Sequence, residues 1–138
     1  MPKYSEQTDR VKRITLEPEI TRAFWSKRRA WHGDELKLTI ETRHVPDGTP
    51  VTVEIWEDDS GEGSPDDFIA RIPDEHTVEG GRCVIDYRIE WDEEALGAEL
   101  KLEGGNYEFY FKVKTERFQL KKRSNLLYVD LSSFRFSA

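Results

Sequence analysis

Residues 82–91 read RCVIDYRIEW, and this stretch decides the fold because its apolar side chains fall at every second position. The odd positions are Cys83, Ile85, Tyr87, Ile89 and Trp91, whereas charged residues fill most of the even ones. Side chains alternate between the two faces of a β-strand, so the pattern predicts a strand with one buried face and one solvated face.

The same two-residue rhythm recurs along the chain, between turns rich in Gly, Pro and acidic residues. It predicts strands at 11–17, 20–25, 35–42, 51–55, 68–72, 82–91, 106–114 and 126–131. Residues 92–97, which begin with acidic side chains and end at Gly, are expected to form one short helical turn. Seven to eight short strands without a long amphipathic helix are typical of an all-β antiparallel sandwich, with an up-and-down barrel as the alternative.

A chain of 138 residues is long enough for one domain, which at this size builds its core without disulfides or metals. We expect a flexible leader over residues 1–10 and a single domain over 11–138. The lone cysteine, Cys83, lies on the apolar face of its strand, where it is expected to pack as a small hydrophobe.

The formal net charge of −7 argues against general affinity for nucleic acid or for an anionic membrane. No apolar run approaches the length of a membrane span, and the polar N-terminus does not resemble a secretion signal. A cytoplasmic location is the default expectation, and export by a non-classical apparatus stays open.

Three stretches resemble a class of bacterial modules: AFWS at 23–26, AWHGDELKL at 30–38 and VPDGTPVTVEI at 45–55. They are similar to small immunoglobulin-like modules of proteins associated with contractile injection systems, phage-tail-like spikes and their effectors. The stretch GGNYEF at 104–109 looks like the tyrosine-bearing entry to the sixth strand of immunoglobulin-like and fibronectin-like sandwiches. The resemblance covers about residues 20–131. It implies an immunoglobulin-like or fibronectin-like β-sandwich that acts as a non-enzymatic spacer, adaptor or docking module.

An acidic stretch, EDDSGEGSPDD at 57–67, is the first candidate site, and its polarity predicts a surface loop. Because Ca²⁺ is bound by several carboxylate and carbonyl oxygens on a flexible loop, Asp58, Asp59, Asp66 and Asp67 are candidate metal ligands. The spacing does not match an EF-hand, so a solvated turn without metal is the preferred interpretation.

The loop predicted at 115–124 carries the second candidate site, for a partner protein. Apolar side chains ringed by polar ones contribute most of the energy of protein interfaces, and this loop has both kinds. The candidate residues are Phe118, Leu120, Lys121, Lys122 and Arg123. An equally good interpretation is a hairpin whose Phe118 and Leu120 fold back onto the core.

Phe134 and Phe136, near the C-terminus, alternate with polar residues and are the remaining candidates for partner binding. Continuation of the last strand is the favoured interpretation of this segment. Addition as a strand to a neighbouring sheet edge, through backbone hydrogen bonds, is the alternative.

Four tryptophans raise the alternative of a glycan-binding module, since flat aromatic rings stack on sugars. Trp56 is the candidate ligand-stacking residue, because its position has the opposite parity to Val53 and Ile55. It either covers the outer face of its sheet or contacts a ligand. Core or sheet-packing positions are expected for three of the four tryptophans.

No motif indicates an enzyme: G-x-S-x-G, H-E-x-x-H and a phosphate-binding glycine loop do not occur in the sequence. His32, His44 and His76 are widely spaced, and the inward position of Cys83 would hide its sulfur from a substrate. The sequence therefore predicts a non-catalytic protein-interaction or assembly module without a cofactor. It is expected to bind a partner protein or a second copy, with no nucleic-acid binding and no membrane insertion. A ligand-binding module for glycan or calcium is the alternative.

Overall fold

A computed structural model describes residues 16–58, 66–91 and 106–130, which form ten β-strands. The strands are β1 (Glu19–Trp25), β2 (Arg29–Trp31), β3 (Glu35–Arg43), β4 (Pro50–Glu57), β5 (Asp67–Arg71), β6 (His76–Thr77), β7 (Arg82–Arg88), β8 (Asn106–Thr115), β9 (Leu120–Arg123) and β10 (Leu127–Asp130). None of the residues in these ranges is helical, so none belongs to a helix long and apolar enough to cross a membrane. The all-β prediction is confirmed.

The ten strands belong to two sheets. The small sheet has the order β1-β3-β7 and is antiparallel. The large sheet has the order β2-β10-β8-β4-β5, with β6 paired to β4 and β9 paired to β8. The structure departs from the purely antiparallel prediction at β2, which pairs in parallel with β10. After β1 the chain leaves the small sheet and runs beside β10 in the same direction as β10. The Tyr128 N–H donates to the Arg28 carbonyl oxygen at 2.9 Å where β2 begins.

The buried faces of both sheets contribute to one hydrophobic core. Its largest fully buried side chains are Phe109, Phe111, Leu36, Leu38, Ile40, Ile55, Ile89, Leu127, Val53, Val78 and Val113. Trp25 of the small sheet meets Phe111 of the large sheet edge-on, with ring centroids 5.1 Å apart. Cys83 is buried on the inner face of β7, as predicted. Burial of each large apolar side chain stabilises the fold by roughly 1.5–3 kcal/mol relative to exposure.

The end of β7 differs from the prediction, since the strand stops at Arg88 rather than at Trp91. The Ile89 N–H donates instead to the carbonyl oxygen of Asp34, at 2.9 Å, and ties the chain to the turn between β2 and β3. Trp91 is nevertheless buried and packs on Phe109, with ring centroids 4.5 Å apart. The alternation therefore gave the correct burial beyond the end of the strand.

Three short strands, β2, β6 and β9, raise the number of strands in the described ranges above the predicted seven to eight. They contain 3, 2 and 4 residues. Segments this short carry no readable alternation, and they become strands because a longer strand lies beside them.

Some predictions fall outside the described residues, namely the leader at 1–10 and the helical turn at 92–97. Of the strand predicted at 11–17, only Leu16 and Glu17 are described. They precede β1 and belong to no strand, which corrects that end of the prediction.

Candidate functional site

The hairpin formed by β8 and β9 holds most of the residues predicted to bind a partner. Its turn spans 116–119 and places Gln119 at a φ of 54°. The Leu120 N–H donates to the Thr115 hydroxyl oxygen at 3.4 Å and closes the hairpin. Phe118 and Leu120 are half-buried and pack against the core. This placement agrees with the hairpin interpretation, in which these two side chains fold back and anchor the segment.

The hairpin brings cationic side chains directly opposite one another. Lys112 of β8 is paired in register with Arg123 of β9, and Lys114 is paired with Lys121. Like charges in such positions repel each other. Lys121 and its neighbour Lys122 are exposed. The hairpin therefore carries a density of positive charge that its own residues do not balance.

Two cations of the hairpin have carboxylate partners outside it. Lys114 Nζ lies 3.5 Å from Glu54 Oε1, and Arg123 lies in a compact polar cluster with two carboxylates. Its guanidinium nitrogens lie 2.9 Å from Asp58 Oδ2 and 3.8 Å from Asp66 Oδ2. The same guanidinium lies 3.7 Å from the centroid of the Tyr110 ring, whose hydroxyl donates to Asp66 Oδ2 at 2.6 Å. Burial, and then the Asp66 carboxylate, raise the pKa of Tyr110 above its ordinary value, so the hydroxyl stays protonated and remains a donor.

Two predicted metal ligands, Asp58 and Asp66, thus share the guanidinium of Arg123 as their counter-charge. Asp67 begins β5 and is exposed, and Glu57 is not in the acidic loop but is buried at the end of β4. Within the described ranges no group of three or more His, Cys, Asp or Glu is arranged to bind a metal ion. Within the described part of the acidic stretch, Asp58 and Asp66 are therefore ion-paired with Arg123.

Ion pairs are distributed unevenly over the two sheets. Every Lys and Arg in the strands of the small sheet has a carboxylate partner, in the pairs Arg22–Glu41, Lys37–Asp86, Arg43–Glu19, Arg82–Glu41 and Arg88–Glu35. In the part of the chain that the structure describes, the cations without a carboxylate partner are Lys112, Arg117, Lys121 and Lys122 of the hairpin and Lys27, Arg28 and Arg29 after β1. Among the described residues, the unbalanced positive charge is concentrated in these two places.

Two grooves flank the turn end of the hairpin, and Lys114 lines both of them. The larger groove has a volume of about 770 Å³ and runs between the hairpin and residues 71–75, with residues 50–52 of β4 along it. The smaller groove has a volume of about 320 Å³. Arg117 lines the larger groove and Lys121 the smaller one, so cations without a carboxylate partner border both.

Trp56 lies on the outer face of the large sheet and covers it, which is one of its two predicted roles. The indole N–H donates to Glu54 Oε1 at 3.2 Å, and the ring meets Phe68 edge-on with centroids 5.5 Å apart. Lys112 Nζ lies 4.6 Å from the centroid of the same ring. A sugar that stacks on Trp56 has to displace this ammonium group or shift Phe68.

The other three tryptophans differ from one another in exposure. Trp25 and Trp91 are buried in the core, whereas Trp31 of the edge strand β2 is 55% exposed. Core or sheet-packing positions are thus observed for three of the four, in agreement with the prediction.

The histidines and the cysteine are placed apart from the hairpin. His44 has a φ of 58°, and His76 Nε2 lies 3.3 Å from the carbonyl oxygen of Pro73. Burial raises the pKa of the Cys83 thiol and lowers the pKa of His32. A thiol with a raised pKa holds little thiolate at neutral pH and is a weak nucleophile.

Several parts of this site have no local signal in the sequence. Tyr110 alternates with the core residues Phe109 and Phe111, yet it is buried, because Arg123 covers its ring. Tyr107, which shares the parity of Phe109 and Phe111 in β8, is only half-buried. The groove wall at 71–75 lies near the hairpin because β4 pairs with β5 on one side and with β8 on the other. Three candidates, Asp59, Phe134 and Phe136, lie outside the described residues.

No protein-family profile matches this sequence, and no curated protein matches it. Solved structures with a similar fold are numerous, with 90 matching chains. A Paenibacillus sp. cycloisomaltooligosaccharide glucanotransferase, complexed with cycloisomaltoheptaose, is 14% identical with a TM-score of 0.52, and the match covers 83% of this chain and 14% of that one. Pseudomonas fluorescens alkylpurine DNA glycosylase AlkC, bound to DNA with an abasic-site analog, is 12% identical with a TM-score of 0.37, covering 88% and 32%. The chain spans a minor part of either enzyme, and the first likeness shows a shared fold only.

Proposed function

We propose that this protein is a non-catalytic protein-interaction module with an immunoglobulin-like β-sandwich fold, and that its β8–β9 hairpin binds an acidic surface of a partner protein. One observation carries the proposal: hairpin cations lie opposite one another across the strands and, within the described residues, four of them have no carboxylate partner. A negatively charged partner relieves this repulsion when it binds.

The strand order supports the fold assignment within this proposal. In an immunoglobulin sandwich, strands A, B and E belong to one sheet and strands C, F and G to the other. The small sheet here contains β1, β3 and β7, and the large sheet contains β4, β8 and β10. Taken in chain order, β1, β3, β4, β7, β8 and β10 correspond to strands A, B, C, E, F and G, with β5 following the strand that corresponds to C. The two sheets then divide the strands in the same way as in an immunoglobulin sandwich.

Electrostatics supports an acidic partner rather than a neutral one. Lys121 and Lys122 are exposed at the edge of the large sheet, where a partner reaches them without unfolding the hairpin. Complementary charge raises the association rate and selects between partners. Because the whole chain has a formal net charge of −7, most of its surface repels a diffuse polyanion. A partner has to place its acidic side chains against the hairpin in particular.

The larger groove supplies the contact area that charge alone lacks. Its lining combines apolar Pro50, Ile72 and Pro73 with charged residues of both signs, including Arg117 and Glu116. Interfaces with an apolar centre and a polar rim have this composition. We therefore place the acidic side chains of the partner on the hairpin and its apolar side chains in this groove, whose lining also includes Asp74 and Glu75.

The biological setting of the proposal is that of an adaptor or structural component linked to a bacterial contractile injection system. This part depends on the sequence resemblance. Co-purification of the protein with a sheath, spike or effector protein of such an apparatus, through the hairpin, is the observation that supports it.

The experiment measures binding of a fluorescent octaglutamate peptide to the full chain at low ionic strength, by fluorescence anisotropy. In the test variant, Arg117→Glu with Lys121→Glu, we expect the dissociation constant to rise by roughly tenfold or more. The matched control, Lys27→Glu with Arg28→Glu, changes the net charge equally and also removes cations without a carboxylate partner. It is expected to change the dissociation constant by less than about twofold, because those residues lie outside the hairpin.

Equal weakening in both double variants would contradict the proposal, since it would mean that net charge alone governs binding. A single-stranded oligonucleotide of the same length provides a second comparison. Tighter binding of the oligonucleotide than of octaglutamate would contradict a protein partner and indicate a nucleic acid instead.

A glycan-binding function is the second candidate, and one observation favours it: Phe68, beside Trp56, is 49% exposed on the outer face of the large sheet. Calorimetry with an oligosaccharide panel tests it. Heat of binding that disappears in Phe68→Ala and Trp56→Ala supports this candidate, and no heat with any oligosaccharide removes it.

A further inference from the structure

The outer edge of β7, on the small sheet, has backbone groups that no other described residue bonds. Successive residues of a strand turn their N–H and C=O groups to opposite sides. The carbonyl oxygen of Gly81 accepts from the Thr42 N–H at 2.8 Å, and the Ile89 N–H donates to Asp34 O at 2.9 Å, so the odd-numbered residues face β3. The even-numbered residues consequently face away from β3.

Of these even-numbered residues, the first is bonded to another residue that the structure describes. Arg82 exchanges two backbone hydrogen bonds with Glu79, of 2.8 and 3.2 Å. The N–H and C=O groups of Val84, Asp86 and Arg88 have no partner among the residues that the structure describes. An edge of this kind is a template for another extended chain.

The side chains on this edge specify which extended chain fits. Val84 is 46% exposed, and Asp86 and Arg88 are exposed beside it on the same outer face. On the other side of β7, the neighbouring strand β3 pairs with these three residues. Val84, Asp86 and Arg88 lie opposite Thr39, Lys37 and Glu35, respectively.

The contacts with β3 show the complementarity directly. Lys37 Nζ lies 2.6 Å from Asp86 Oδ1, and Arg88 Nη2 lies 3.6 Å from Glu35 Oε2. A second strand with the same order of side chains meets the same three residues from the other side. Opposite charges directly across two strands attract, and like charges repel.

We propose that the free edge of β7 binds an extended segment of a partner protein as an additional antiparallel strand. That segment carries an acidic, a basic and a β-branched residue at alternate positions, facing Arg88, Asp86 and Val84. The site lies on the small sheet, away from the β8–β9 hairpin, so it is independent of the function proposed above.

A second copy of the chain fits this edge less well. The one antiparallel register that pairs all three open residues of two copies is centred on Asp86 and sets the two Asp86 carboxylates directly opposite each other. Repulsion between them disfavours self-pairing, whereas a partner with a basic residue at that position is attracted.

The probe for the experiment is a synthetic peptide with the sequence of β3, ELKLTIETR. Hydrogen exchange of the full chain is followed residue by residue by NMR. In the free protein we expect fast exchange at Val84, Asp86 and Arg88 and slow exchange at Cys83 and Ile85, which bond to β3. Saturating peptide is expected to slow exchange at the three open residues by roughly tenfold or more and to leave the other two unchanged.

The control peptide, KLELTIETR, exchanges the first acidic residue with the basic one and leaves the protein untouched. It is expected to bind roughly tenfold more weakly, because two cross-strand charge pairs become repulsive. Equal protection by both peptides would overturn the proposal. So would slow exchange at Val84 and Asp86 before peptide is added. Loss of protection at Leu38 and Ile40 of β3 would also overturn it, because it means that the peptide displaces β3.

Two protein variants complete the test. Val84→Pro removes one of the three open N–H groups of the edge and is expected to abolish protection by the peptide; its fold is checked by the slow exchange of Leu38 and Ile40. Arg117→Glu with Lys121→Glu is expected to bind the peptide as the wild type does. Loss of peptide binding in that double variant would place the peptide on the hairpin and contradict a site on β7.

Discussion

Glu54 is a carboxylate of β4 that two cations and one indole share. Arg71 and Lys114 each place a nitrogen 3.5 Å from its oxygens, and its side chain is only 12% exposed. Burial alone would raise the pKa of the Glu54 carboxyl. The hydrogen bond from Trp56 and the charges of Lys114 and Arg71 outweigh burial and hold the pKa below its ordinary value.

Glu54→Gln keeps an acceptor for Trp56 but removes the charge. Because the pKa of Glu54 is lower in the folded than in the unfolded chain, its contribution is present above the ordinary value of 4.5 and is lost as the pH falls through the lower, folded value. At neutral pH the variant is expected to have a free energy of unfolding smaller by up to about 1 kcal/mol, since Arg71 and Lys114 are largely exposed. Urea unfolding between neutral pH and pH ~3 measures the difference.

The difference between wild type and Glu54→Gln should shrink towards zero at the acid end of this range. The control is Glu75→Gln, which removes an exposed carboxylate without an ion partner in the described ranges. A pH-independent difference for Glu54→Gln, or an equal effect of Glu75→Gln, would mean that the charge of Glu54 contributes nothing.

Inward and outward positions of single residues were predictable from the sequence wherever the alternation is local. Leu36, Leu38 and Ile40 are buried as their spacing in β3 indicates. Burial of Tyr110 was not predictable, because it depends on Arg123 from another strand. Parity gives the face of a side chain, but what covers that face depends on the tertiary structure.

The turn before β7 is the element with the clearest conformational requirement. Gly80 and Gly81 have φ values of 61° and 75°, and a Cβ on Gly81 would lie 3.3 Å from the carbonyl oxygen of Thr42. Gly81→Ala is therefore expected to lower the free energy of unfolding by about 1–2 kcal/mol. Chemical denaturation provides the measurement.

Gly80→Asn is the matched substitution in the same turn. A Cβ at Gly80 meets nothing within 4 Å, and asparagine tolerates the left-handed conformation better than alanine does. We expect a change below about 0.5 kcal/mol. Equal destabilisation by Gly80→Asn and Gly81→Ala would show that the close approach to Thr42 is unimportant.

At the scale of whole elements, the long strands were predictable and the short ones were not. β3 and β8 span 9 and 10 residues, enough for several cycles of alternation. The sequence predicted a loop where β9 lies, because one apolar residue followed by three cations shows no alternation. It is a strand because β8 pairs with it, and this pairing is also what places the basic residues of the hairpin opposite one another.

The molecule as a whole has one core, so the loss of a central side chain should weaken both sheets together. Phe111 is fully buried and meets Trp25 of the other sheet. Phe111→Ala is expected to lower the free energy of unfolding by about 3–5 kcal/mol. Far-UV circular dichroism and tryptophan fluorescence should report one common transition in wild type and variant. A loss below about 1 kcal/mol, or two separate transitions, would contradict a shared core.

Charge organisation at the scale of the whole molecule was only partly predictable. The sequence indicated a basic segment around Lys121 and Lys122 in an acidic protein. It did not indicate that cations of the small sheet are ion-paired or that Arg123 is balanced by Asp58 and Asp66. Those pairs join strands that are far apart in the chain, and they leave the hairpin as a site of unbalanced charge.

The most direct measurement of the central claim is an NMR titration of the isotopically labelled full chain with octaglutamate at low ionic strength. The largest amide shift changes are predicted for residues 112–122, with core residues unaffected and all changes removed by high salt. Changes centred on residues 27–29, changes spread evenly over the surface, or none at all would contradict a partner site on the β8–β9 hairpin.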